Sequence, residues 1–156
     1  MVETVSDLQS KYITAYDFDV NEVFAHLNRI FEERIVVLDG GMGTQIQTYR
    51  LEENDYRGKC VFIKTIIYFN FDIPLGEEFK AVEKLVKNNN DLLNITKPDL
   101  VTEIHEQYLR AGADIIETNT FNGQSISQSD YGLESWSFEI NKQASILARR
   151  AADTVS

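Results

Sequence analysis

At 156 residues the chain is long enough for one ordinary domain and too short for a complete eightfold α/β barrel. Apolar residues make up 43%, compatible with a packed core, while a formal charge of −10 argues against nucleic acid or an anionic membrane as a general partner. The single cysteine, Cys60, excludes an internal disulfide and accords with a reducing compartment.

Residues 1–16 are polar and read as a loose N-terminus, with residues 17–156 forming the folded part. The opening "MVETVSDLQSKY" lacks the apolar stretch of a secretory signal. The most apolar run, "CVFIKTIIYFNFDIPL", is short and carries Lys64 and Asp72, a poor membrane span. No membrane contact is expected, and the expected address is cytoplasmic. Val20, Val23, Phe24, Leu27, Ile30 and Phe31 recur at helical spacing, with Asp17 or Asp19 available to cap the start. "RIVVLDGG" follows, a β-branched run bounded by glycine that predicts a buried parallel strand.

After a long connection, "NITKPDLVTEIHEQYLRAGA" predicts the clearest helix. Pro98 suits its first position, Asp99 complements its dipole, and Gly112 fits the stop. Leu100, Val101, Ile104, Tyr108 and Leu109 form its inward stripe. "DIIETNTF", residues 114–121, predicts a second strand, and "NGQSISQSDYGLE" a polar loop. Trp136, Ile140, Ala144, Leu147, Ala148 and Ala151 mark a last helix. Strands alternating with helices imply an α/β fold with a parallel sheet, and two strands alone leave its edges open.

Ligands of parallel α/β folds sit at the C-terminal strand ends. The first strand ends in Asp39, Gly40, Gly41 and Gly43, the second in Glu117, Thr118, Asn119 and Thr120. Gly40 and Gly41 allow close approach to the backbone and positive φ, their N–H groups suit a carboxylate, and Asp39 suits an ammonium. Together these groups fit an amino acid; a tight turn without ligand is the bland alternative. The G-G-x-G spacing matches neither a dinucleotide fingerprint nor a P-loop. Thr118 and Thr120 share one strand face and Glu117 and Asn119 the other, without periodicity saying which points inward. His26 and His105 read as surface or half-buried helix residues, and Cys60 has no companions for a zinc site.

"RIVVLDGGMGTQIQ" and "NNDLLNITKPDLVTEIHEQYLRAGADIIETNTFNGQSISQSDYGLE" closely resemble the N-terminal homocysteine-binding domain of the cobalamin-dependent methionine synthases, within the homocysteine S-methyltransferase family. The likeness covers residues 20–58 and 77–156. The betaine-dependent relatives share the "DGG" and the T-x-T-F strand end. The resemblance implies the N-terminal portion of a (β/α)8 TIM barrel, incomplete, with about the first two βα units. It implies homocysteine as substrate, with Asp39, Gly40 and Thr118 at its amino-acid end; Gly41 is added on physical grounds alone. It also implies zinc held by three thiolates, cobalamin, and separate cobalamin and folate domains. The zinc cysteines of the family lie on later strands, so neither metal ligands nor catalytic residues are assigned to this chain. A truncated, non-catalytic or binding-only protein is the alternative reading.

Residues 59–76 have no counterpart in the family pattern. They are rich in residues of A/T-rich codons and are read as a non-family insertion, a retained short intron, with a genuine β-hairpin ended by Pro74 as the alternative.

Overall fold

The computed structural model describes residues 20–58, 79 and 82–155. The readings made for the N-terminus, the 59–76 insertion and Cys60 lie outside the described residues. The chain divides into two units, Met1–Val36 and Val37–Ser156.

In the first unit, α1 spans Val20–Glu33, as its helical spacing predicts. Leu27 and Ile30 are half-buried, whereas Val23, Phe24 and Phe31 are exposed. His26 is exposed, and its Nδ1 lies 3.0 Å from Arg29 Nη2, one helical turn on.

The second unit is built from α2 (Met42–Thr48), α3 (Glu53–Arg57), a 3₁₀ turn Asn90–Leu92 running into α4 (Leu93–Thr96), α5 (Pro98–Arg110), α6 (Ser125–Gln128) and α7 (Ser137–Val155). Two further 3₁₀ turns, Ser129–Tyr131 and Glu134–Trp136, join α6 to α7. Helix α5 begins at Pro98, whose missing N–H is one that no helix start can satisfy internally. It stops at Gly112, whose φ of 104° is a conformation side chains resist. The pairing of α5 with α7 is the largest helix contact of the unit, and α4 packs on both. Val101 and Ile104 of α5 meet a core that includes Ile140 and Leu147 of α7 and Leu92, Leu93 and Ile95 before α5. Burying each such side chain contributes about 1.5–3 kcal/mol. Phe79 completes this core against Trp136, ring centroids 4.7 Å apart. Among the described residues, no helix is long and apolar enough to cross a membrane.

Helix α3 is short but firmly set. Glu52 and Asp55 form a reciprocal capping box. Arg57 donates to the carbonyls of Phe79 (2.8 Å), Val82 (2.9 Å) and Lys84 (2.9 Å), and to Glu53 at 2.7 Å. Glu53 in turn accepts from the N–H groups of Val86 and Lys87. Burial alone would raise the Glu53 pKa, but these N–H groups and Arg57 outweigh it and hold the carboxyl below its ordinary value. One Glu–Arg pair on a single helical turn thus holds Phe79 and the stretch from Val82 to Lys87.

The α/β expectation, and with it the opening portion of a (β/α)8 barrel with two βα units, is corrected by the structure. The described residues contain helices and no strand. Of the two predicted strands, only an isolated parallel bridge between Leu38 and Ile115 forms. Its backbone bonds run Asp39 N–H to Ile115 O (2.9 Å), Asp114 N–H to Val37 O (2.8 Å) and Ile115 N–H to Val37 O (3.3 Å). A ladder needs such bonds to continue residue after residue, and here they end at Asp39. The β-branched runs supply the side chains of a buried strand without cover for its faces: Val37, Leu38 and Ile115 are exposed.

Candidate functional site

The bridge brings the two predicted strand ends side by side. Asp39 lies one residue past Leu38 and Glu117 two past Ile115. The Glu117 N–H donates to Asp39 Oδ2 at 3.1 Å. Asp39, Gly40, Gly41 and Thr118, the four residues singled out from sequence, all line one open cleft of about 900 Å³. The rest of its wall comes from α2, from Asn88, Asn90 and Asp91, and from Glu117 and residues 119–122.

Asp39 is half-buried, and its Oδ1 is enclosed without a hydrogen-bond donor among the described residues. Burial raises its pKa, only partly offset by the Glu117 N–H. A cation in the cleft beside Asp39 would favour its charged form. Gly41 caps α2 with an extended backbone at φ −67° and ψ 96°. The N–H groups of a first helical turn have no acceptor within their own helix.

Positive φ, one of the two properties expected of Gly40 and Gly41, is not used; among the described residues the glycines with positive φ are Gly58, Gly112 and Gly132. Gly40 is needed for space. A Cβ placed there would lie 3.1 Å from the Tyr108 ring, so the bare backbone is where α5 presses against the cleft wall.

The threonines of the second segment sit on one side, their hydroxyls 2.8 Å apart. Asn119, between them, turns the other way and is buried. Glu117, assigned to the face of Asn119, is nevertheless exposed.

Behind the cleft lies a layer of amides that sequence reasoning left unassigned. Asn89 and Gln128 exchange hydrogen bonds through both amides, at 2.8 and 3.2 Å. Gln128 also donates to Asn122 O, and the Asn122 N–H donates to Asp91 Oδ1 at 2.8 Å. Tyr56 Oη reaches Asn90 Oδ1 at 3.1 Å. Burial raises the Asp91 pKa, with the Asn122 N–H opposing. The signal was present in "NNNDLLN": a dense polar run set directly against Leu92 and Leu93 must find its partners inside the fold.

His105 corrects another expectation. It is fully buried, with both ring nitrogens lacking partners among the described residues, and burial lowers its pKa. Helix α5 is covered over a wider arc than its apolar stripe, because α4 and α7 both pack on it. Among the described residues, no three His, Cys, Asp or Glu side chains are grouped as a metal site.

Residues 36–156 match the family model described as homocysteine S-methyltransferase, a span that includes every cleft residue.

Proposed function

The chain belongs to the homocysteine S-methyltransferase family, and on that premise we propose that its cleft receives the amino-acid end of homocysteine for methylation at sulfur. The observation that carries this reading is the Asp39 carboxylate, which lines the cleft, accepts from Glu117 N–H through Oδ2 and has no donor for Oδ1 among the described residues. In this reading the ammonium group of the ligand pairs with that carboxylate. On the same reading the N–H groups of Gly40 and Gly41, also in the cleft lining, take the carboxylate of the same ligand, and the Thr118 hydroxyl adds a donor or acceptor. Main-chain donors bind a carboxylate without introducing a cation into an acidic chain.

Methionine formation with methylcobalamin and methyltetrahydrofolate as methyl donors is the finer form of this reading. It rests on the likeness of "NNDLL" and "AGADIIETNTF" to the cobalamin-dependent enzymes. A cytoplasmic address belongs to the same reading. Zinc, which the resemblance implies, does not fit the described residues, since they group no set of metal ligands. In this reading the cleft residues bind and orient the substrate.

Calorimetric titration of the full chain with L-homocysteine under reducing conditions tests the proposal. Wild type is expected to bind saturably, and Asp39→Asn to bind about 10- to 100-fold more weakly, the worth of a charge-assisted hydrogen bond. No binding by wild type, or equal affinity in the variant, refutes it.

A further inference from the structure

The structure assigns to Asn94, a residue outside the cleft lining, the task of setting the hydroxyl pair of Thr118 and Thr120 against Asp39. This rests on the amino-acid pocket proposed above and adds a positioning residue to it.

Asn94 lies on α4, is 1% exposed, and has its whole amide engaged. Its Nδ2 donates to Asp91 O at 2.8 Å and to Asn119 O at 2.7 Å. Its Oδ1 accepts from Asn119 Nδ2 at 3.3 Å, and that same Nδ2 also donates to Asn90 O at 2.7 Å. Asn94 therefore grips Asn119 twice, by side chain and by carbonyl. Asn119 sits between the two threonines, so fixing its carbonyl and its side chain fixes the turn of backbone that carries both hydroxyls.

The chemistry requires an amide. Serine reaches less far and offers one donor. Aspartate has no donor and would set a carboxylate against two carbonyls. Only a primary amide gives two donors and an acceptor in one plane. The segment needs this hold because Thr118 is exposed and the parallel bridge ends three residues earlier, at Ile115.

The test is a double-mutant cycle on L-homocysteine affinity in the full chain, with Asn94→Ser, Thr118→Val and their combination. Each variant is first checked for folding by urea titration of Trp136 fluorescence. Asn94→Ser is expected to weaken binding about threefold to tenfold, as for one lost hydrogen bond, while remaining folded under assay conditions. In the Thr118→Val background the same change is expected to cost nothing further, because its route to the ligand is gone. A purely structural role would not produce that non-additivity. Wild-type affinity in Asn94→Ser, or effects that simply multiply, overturns the inference. Should Asn94→Ser fail to fold, Asn119→Ser removes the other half of the pair and carries the same cycle. Asp39→Asn separates the two levels: if it weakens binding and Asn94→Ser does not, only the role of Asn94 falls. If wild type does not bind homocysteine, both readings fall.

Discussion

Replacing His105 by leucine is expected to stabilise the protein, and the gain is expected to grow as pH falls. The imidazole is fully buried with both nitrogens unpartnered among the described residues. Leaving a buried polar group unsatisfied costs about 1–3 kcal/mol, and leucine is of similar volume and has no such group. A gain of about that size is expected at pH 7.5, where the histidine is neutral in both states. The pH dependence follows from burial lowering the pKa below its ordinary 6.5. As pH falls through 6.5 the unfolded chain takes up a proton that the folded chain refuses, so stability drops until the folded pKa is passed. For one such site a tenfold shift of the unfolding equilibrium per pH unit is the upper limit, and the shift fades once the folded pKa is reached. Trp136, the only tryptophan and packed on Phe79, reports unfolding in urea at each pH. His105→Leu is expected to lack this component of the slope. A variant that unfolds at lower urea than wild type at pH 7.5, or a slope unchanged by the substitution, refutes the argument.

Two further outcomes are expected in the same urea assay. Arg57→Ala leaves the carbonyls of Phe79, Val82 and Lys84 without their donor and should cost about 2–4 kcal/mol, with Arg57→Lys recovering less than half because an ammonium cannot reproduce the planar fork. Gly40→Ala and Gly112→Ala are expected to destabilise for different reasons. At Gly40 the new Cβ meets the Tyr108 ring, costing about 1–3 kcal/mol, and trimming the ring by Tyr108→Val in the same chain should recover part of the loss. At Gly112 nothing lies within 4 Å, yet the φ of 104° makes any Cβ cost about 1–2 kcal/mol that no second substitution nearby relieves.

The long helices were legible because three turns or more display a period. Helices α1, α5 and α7 lie where their apolar spacing puts them, with Gly112 as the stop of α5. Helices α2, α3 and α6, of four to seven residues, are too short to show one, and they fall within the long connection and the polar loop. The strands failed for a different reason. A run such as "RIVVL" states what a residue would favour beside a partner strand, but pairing is a property of two segments and extends only as far as their hydrogen bonds do. The juxtaposition of Asp39 with Thr118 was legible, since a single parallel bridge suffices to bring those ends together. The amide layer around Asn89, Asn94, Asn119 and Gln128 was not. Hydrophilicity marks such residues as exposed, whereas here each is satisfied by another and all are buried.

The grip of Arg57 has a consequence for distance. Positions 57 and 79 stand within the reach of one arginine side chain and a 2.8 Å bond. Four extended peptide steps span about 13–14 Å, so a joining piece of three residues would already close the gap. Lengthening a connection whose ends are fixed adds only a logarithmic entropy cost. The two ends that Arg57 holds are thus near enough for a link far shorter than the twenty-one residues that separate them along the chain, a spacing that a short chemical crosslink can gauge.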